Sequence, residues 1–373
     1  MDEIEKIKTK KTVFEHARNW YGRFERPISS ISLITGFLFD AITLKRVDTL
    51  WENLWVLGHL LIVGVFIILI HVKEKEEEDE KNPSKAHFWY VNILQFFFGG
   101  ILSTYLVFYF RSADIFVTWP FIAMLLGAFI ANESLKRYYV RLSFQISLFF
   151  LSIYAFAIFI IPVLMHRIGA DVFILSGIVS LIFIIIFLLI LFHFANDKFN
   201  ENKKVIWSLV IGIFAVVNYL YFINLIPPIP LSLKDAGVYH SIQKNGDDNY
   251  TVEGEKQSWQ SFFQMYQSFK ETSSSPVYAF SAIFSPSGLN INIIHEWQYF
   301  DEKTSKWIKD ASIDLSLVGG RDGGFRTYSM RQNIRPGLWR VNVLTTQGQL
   351  IGRIRLKIEK VDTEPILITE TKE

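Results

Sequence analysis

The residues able to do chemistry in this chain are few, and they fall into two groups. The first is a pair of carboxylates inside apolar stretches, Asp40 and Glu133. A charge in hydrocarbon is costly, so such a group marks an ion or proton path unless it lies at the headgroup layer with a partner. Asp40 falls near the end of its stretch, close to Lys45 and Arg46, and Glu133 stands four residues before Arg137, the spacing of a helical ion pair. Both therefore read first as interfacial pairs. The second group is basic. Gly319 to Lys360 carries about nine Lys and Arg against Asp322 and Glu359. Arg321, Arg326, Arg340, Arg353 and Arg355, with the aromatics Trp297, Tyr299 and Trp339, are expected to share a face or ring a shallow groove.

Other chemistry is excluded by spacing. His295-Glu296 opens like a zinc-protease motif but has no second His four residues on, and it sits in a strand pattern. The eight histidines are scattered, and cysteine is absent, so thiolate metal sites, disulfides and cysteine nucleophiles are ruled out. Gly319–Gly324 has paired glycines, but a phosphate cradle leads into a helix and this loop leads into a strand. No nucleophile elbow is present. No catalytic residue, metal or cofactor is expected. The net charge of +2 gives no reason to expect a nucleic acid partner.

The elements that position these residues begin with the bilayer. Half of the 373 residues are hydrophobic. A spanning helix needs about 20 mostly apolar residues. Seven stretches qualify: Ile28–Leu44, Trp51–Val72, Phe88–Phe110, Ile115–Leu135, Leu142–Met165, Val172–Phe194 and Val205–Ile226. The first is the shortest. With seven spans the basic residues divide roughly 17 to 6 between the two sides, and with six the bias disappears. Segment 1–27 is thus expected in the cytoplasm, 28–230 in the membrane, and 231–360 outside the cytoplasm, with 361–373 as a tail. Trp51, Trp55, Trp89, Trp119 and Trp207 stand where headgroup layers should be. Pro227, Pro228 and Pro230 close the last span.

Beyond Leu231 the apolar period changes to two. Asn290–Phe300, Ser312–Val318, Leu338–Thr346 and Leu350–Ile358 alternate apolar with polar, and Gly- or Pro-containing turns separate them. Short strands at this spacing predict an antiparallel, immunoglobulin-like β-sandwich separable from the membrane part. One stretch breaks the pattern. Trp259, Phe262, Phe263, Tyr266 and Phe269 recur at helical spacing, which predicts an amphipathic helix over Glu255–Lys270 that packs on the sandwich or lies on the outer leaflet.

From His295 to Lys357 the chain resembles the bacterial domain of unknown function 2914. The shared motifs are His295, Trp297 and Tyr299 at alternate positions, Gly319-Gly320-Arg321, Gly324-Phe325-Arg326-Thr327-Tyr328-Ser329, Pro336-Gly337 followed by Trp339-Arg340-Val341, and Gly348 followed by Ile351-Gly352. Phe39-Asp40 and Phe110-Arg111-Ser112 resemble membrane proteins that carry this domain. The resemblance implies a small β domain attached to other modules, and no activity.

The expected function is a non-enzymatic membrane anchor or scaffold presenting a β module to an envelope ligand. That ligand would be an anionic glycan, a lipid headgroup or an acidic segment of a membrane protein. A transporter or channel with an accessory domain is the alternative, and a membrane enzyme acting on lipid or glycan the third. A polar cluster converging on Asp40 or Glu133 at bilayer depth would favour the transporter.

Overall fold

The computed structural model describes residues 34–44, 49–80, 85–112, 115–134, 141–245, 249–256, 264–272, 275–289, 291–319 and 323–372. Among them are seven helices: α1 (Ile34–Thr43), α2 (Leu50–Glu80), α3 (Lys85–Ser112), α4 (Ile115–Ser134), α5 (Leu142–Met165), α6 (Ala170–Phe194) and α7 (Asn196–Phe222). Five of them, α2, α3, α5, α6 and α7, are long and apolar enough to cross a membrane, and the apolar parts of α1 and α4 are shorter. The start of the first expected span, 28–33, lies outside the described residues. Helix α7 begins nine residues before its expected start, because Asn196–Lys204 continues the same helix with Asp197 in the first turn.

Burial separates two kinds of helix surface. The facing sides of α3 and α5 are packed, and their buried hydroxyls find backbone partners: Tyr105 donates to the Ser152 carbonyl at 2.7 Å and Tyr109 to the Ala155 carbonyl at 2.9 Å. Gln95 and Asn132 exchange amide bonds with each other's carbonyl, at 3.0 and 3.1 Å, tying α3 to α4. His71 meets Gln145 at 3.0 Å between α2 and α5. By contrast α6 is apolar all round and exposes Ile178, Ile182, Phe183 and Leu189. Such a surface calls for apolar surroundings.

The C-terminal region holds β1 (Ser232–Tyr239), β2 (Ser241–Asn245), β3 (Asn249–Glu255), β4 (Gln267–Glu271), β5 (Val277–Phe284), β6 (Ile291–Asp301), β7 (Lys306–Leu317), β8 (Phe325–Arg331), β9 (Gly337–Thr345), β10 (Leu350–Lys360) and β11 (Leu367–Lys372). They form three sheets, ordered β1-β5-β8, β4-β10-β9-β6-β7 and β11-β3-β2. Every pairing is antiparallel except β4 with β10. The three-stranded sheet around β5 sits in the middle. Val277 and Ala279 face Trp297, Val341 and Leu356 of the five-stranded sheet, while Phe280 and Ala282 face Ile242, Tyr250 and Val252 of the third. A strand covered on both faces reads as a continuous apolar run, which is what Val277–Phe284 is.

Two expectations need correction. The helix predicted over Glu255–Lys270 is not formed where the chain is described: Glu255 ends β3 and Gln267–Glu271 is β4. Phe269 is buried in the sheet core and stacks on His240 at 4.1 Å. The free edge of β10 takes β4 as a parallel partner, so alternation wins over helical spacing; Trp259, Phe262 and Phe263 lie outside the described residues. The segment 361–373, expected as a tail, contains β11, which pairs with β3 and closes one side of a polar cavity of about 180 Å³.

The β region is seated on the helices. The turn between β9 and β10 brings Gln347 to the start of α6, where its side-chain oxygen accepts from the Ala170 N–H at 3.0 Å. The first N–H groups of a helix lack intrahelical partners, so this is a cap supplied from another part of the chain. Ile168 packs against the core of Leu231, Ile293 and Val343, and Phe284 joins the helical core. Gly288, at φ +80°, lies so close to His166 that a Cβ would meet its ring at 2.7 Å.

Candidate functional site

Strand register builds a polar face on the outer side of the five-stranded sheet. Arg353 on β10 stands opposite Asn342 on β9, which stands opposite Glu296 on β6. One row further, Arg355 stands opposite Arg340, which stands opposite Gln298, which stands opposite Lys309 on β7. Hydrogen bonds run along these rows. Arg353 Nε donates to Asn342 at 2.6 Å, Asn342 to Glu296 at 3.2 Å, and Arg340 Nε to Gln298 at 2.7 Å. Lys309 lies 3.4 Å from the Glu296 carboxylate. The Arg340 guanidinium also lies over the Trp307 ring, 4.3 Å from its centroid, and Trp307 packs on Phe300.

Two arginines directly across a strand pair repel each other. The electrostatics record it. Burial lowers the Arg340 pKa most, Arg353 next, and Arg355 adds to them; Tyr266 and Glu296 pull the other way, and the pKa rests at about 10. Glu296 is engaged by Gln298, Asn342 and Lys309 at once. The face is thus built for an incoming anion, which planar guanidiniums hold through paired N–H donors.

The structure divides the residues expected to share this surface. Arg340, Arg353 and Arg355 share it. Trp297, Tyr299 and Trp339 do not: they point to the opposite side of the same sheet, with Trp297 and Trp339 in the core and Tyr299 under Arg335, whose guanidinium is 3.2 Å from the ring centre. Arg326 is on β8, in the middle sheet, and is buried on the side where Tyr250 Oη donates to its carbonyl. Arg321 lies outside the described residues. The aromatics that do flank the arginines are Trp307, Phe300 and, before β4, Tyr266. Alternation alone puts Trp307 in phase with the inward Ile313 and Leu315. A bulge in β7 shifts the register there, since Trp297 pairs with Ala311 but Gln298 with Lys309. The extra residue, Asp310, turns instead to Arg331 at 2.5 Å.

His295 is not a ligand-binding group either. It is fully buried between the two larger sheets, with Nε2 2.9 Å from Ser281 Oγ and Nδ1 2.9 Å from Ser329 Oγ, which also accepts from the Trp297 indole at 3.0 Å. Burial pushes its pKa down to about 4. The imidazole is neutral and serves to satisfy two buried hydroxyls.

Among the helices, Asp40 is not paired at a headgroup layer as expected. It shares a face of α1 with Phe37, Ala41 and Leu44, which packs on the bundle; Phe37 touches Phe129 with ring centroids 6.2 Å apart. The carboxyl lies beside Ser103 of α3 and within electrostatic reach of His59 of α2. Ser103 Oγ is buried and makes no hydrogen bond of good geometry. Arg111 donates to the Ala41 and Leu44 carbonyls and so holds the end of α1. Lys45 and Arg46 lie outside the described residues, as does the side chain of Glu133.

The apolar helices and the layered β region together define a helical bundle bearing a C-terminal β module. Within that module, residues 290–358 match the family described as "Protein of unknown function (DUF2914)", so β6 to β10 carry this domain. No curated protein matches the chain. Among solved structures, the β-glucosidase from Listeria innocua in complex with isofagomine is 12% identical over 35% of this chain and 16% of that one, with a TM-score of 0.18. Its gluconolactone complex gives 12% identity, the same coverage and a TM-score of 0.19. The Pseudomonas fluorescens alkylpurine DNA glycosylase AlkC bound to DNA containing an abasic site analog is 10% identical, with 84% and 99% covered and a TM-score of 0.20. The chain thus spans 16% of the length of the two glucosidase chains, and scores this low define no shared fold.

Proposed function

We propose that this chain is a seven-span membrane protein whose extracytoplasmic β module binds an anionic glycan of the cell envelope without catalysing a reaction. On this reading the two larger sheets form an immunoglobulin-like sandwich to which the third sheet is added, and the N-terminus is cytoplasmic. The carrying observation is the cross-strand pair Arg340 and Arg355 with Arg353 one row away.

Position favours a glycan over a lipid headgroup. The β9–β10 turn rests on the ends of α6 and α7, and Arg355 stands roughly 20 Å along β10 from Gln349 at about 3.3 Å per residue. The headgroup layer is only about 5–8 Å deep on each side. The arginine pair therefore lies beyond it, on a face parallel to the membrane normal, where an extended polymer has access and a headgroup does not.

The test uses full-length protein in detergent micelles, titrated with a soluble phosphate-bearing glycan polymer and, separately, with phosphatidylglycerol vesicles. Arg340→Ser with Arg355→Ser should weaken glycan binding tenfold or more, since each charged hydrogen bond contributes about 1.5–3 kcal/mol. Salt sufficient to shorten the screening length to about 3 Å should abolish it. Unchanged affinity in the double variant, or binding to vesicles alone, would sink the reading.

A further inference from the structure

The second polar centre lies among the helices, and it is independent of the basic face; it rests only on α1, α2 and α3 crossing the bilayer. Ser103 is nine residues from the end of α3 and His59 nine residues from the start of α2. At 1.5 Å per residue each lies about 13 Å in from the end of its helix. In a hydrocarbon core about 30 Å thick that is close to half depth. A carboxyl carried there by Asp40 is a group with no structural need for charge, and it requires a partner able to take or give a proton.

His59 has the chemistry to be that partner, and its hydrogen bonding says which atom does the work. Its Nδ1 lies 2.9 Å from the Trp55 carbonyl oxygen. A carbonyl only accepts, so Nδ1 carries the hydrogen and the neutral ring keeps its lone pair on Nε2. Gly100 of α3 leaves room for that edge of the ring: a Cβ at this position would meet Nε2 at 3.2 Å. Trp55 and Phe97 hold the imidazole from the other sides, with ring centroids 4.5 and 5.0 Å away. The buried hydroxyl of Ser103, lacking a hydrogen bond of its own, completes the cluster beside Asp40. Charged or titratable groups on the packed elements are few. Arg111 of α3 is committed to the α1 carbonyls one turn away, and α4 presents Phe129 to the same face of α1.

We propose that Asp40 and His59 form an intramembrane proton-binding pair, with Ser103 as the hydroxyl that bridges or orients it. In the step, the Asp40 O–H bond breaks with its electron pair staying on oxygen, and the Nε2 lone pair forms the new N–H bond. The neutral acid and imidazole become carboxylate and imidazolium, so net charge in the bilayer is unchanged. That equality makes two protonation states accessible at a depth where a lone charge would be expelled. The ligand is the proton itself, and the site suits a proton-coupled movement of these helices.

The experiment labels full-length protein in liposomes with a bilayer-soluble carbodiimide, which attacks protonated carboxyls, and reads Asp40 modification by mass spectrometry across pH. A water-soluble carbodiimide is run in parallel. Asp40 should be modified by the first reagent and at least tenfold less by the second. His59→Gln should move the pH midpoint of modification by about one unit or more. Ser103→Ala, which removes only a hydroxyl, should move it in the same assay and keeps the test open if His59→Gln fails to assemble. Equal labelling by both reagents would show that α1 does not place Asp40 in the bilayer. Absence of labelling by either, or a midpoint indifferent to both substitutions, would overturn the proton pair.

Discussion

The buried His295 sets an acid limit on the β module, and its size can be worked out. The ordinary imidazole pKa is 6.5, and in the fold burial brings it to about 4. Above 6.5 the ring is neutral whether the chain is folded or not, so the full stability is present. As pH falls below 6.5 the unfolded chain binds a proton that the folded one refuses, and stability is lost by about 1.4 kcal/mol per unit. At pH 5 the loss is about 2 kcal/mol, and it levels off near 3 kcal/mol once pH drops below about 4. With a urea dependence of about 1–3 kcal/mol per molar, the unfolding midpoint should move down by about 1 M between neutral pH and pH 5. The assay is urea unfolding of the full-length protein in mild detergent, read by protease susceptibility of the β5–β8 segment. His295→Gln cannot titrate. It should be weaker at neutral pH by roughly 1–3 kcal/mol, since Ser281 and Ser329 lose an ideal partner, but its midpoint should be nearly flat over the same pH range. If the two proteins lose stability in parallel, the acid sensitivity comes from other groups and the account given for His295 is wrong.

Two further substitutions test the architecture. Gln347→Ala removes the acceptor held over the start of α6 and should cost about 1 kcal/mol of docking, seen as faster amide hydrogen exchange at Ala170 with the β strands still protected. Gly324→Ala should destabilise the module by more than about 1 kcal/mol in the same urea assay, because φ there is +84° and a Cβ would meet the Ile283 nitrogen at 2.8 Å; a wild-type midpoint would mean the turn relaxes freely.

What was legible in the sequence was what has a period. Continuous apolar runs gave the helices, and alternation gave the inward faces of β6, β9 and β10 almost residue by residue: Ile293, His295 and Trp297, then Trp339, Val341 and Val343, then Ile354, Leu356 and Ile358 are all buried. The same alternation correctly set Arg353 and Arg355 apart from that core. Failure came where long-range contacts decide. One inserted residue, Asp310, turns Trp307 outward, and no local pattern announces a bulge. Parallel pairing with β10 converts Phe269 from a helix position to a strand position. Asp40 looked interfacial by its place in the chain, yet Ser103 and His59, which carry no signal individually, come to it from two other helices.

The basic face and the helices are joined by a single hairpin, and this bears on how the face can act. Strands β9 and β10 carry Arg340, Arg353 and Arg355, and the turn that links them holds Gln347, the residue that caps α6. At the same junction Gln349 is buried beside Tyr221 of α7, along with Ile226 and Ile229 of the chain leaving that helix. A module on a free tether would tumble, and its arginine pair would meet a ligand at any angle. A module pinned at a hairpin turn, at Ile168 and at Phe284 holds that pair at fixed height and fixed azimuth, so less orientational freedom is lost when an extended anion binds. Pull on the ligand is then delivered along β9 and β10 to the start of α6 and the end of α7. Those two helices are the least covered in the bundle, with 33% and 22% of their apolar windows buried, and so are the ones with fewest protein neighbours to hold them still.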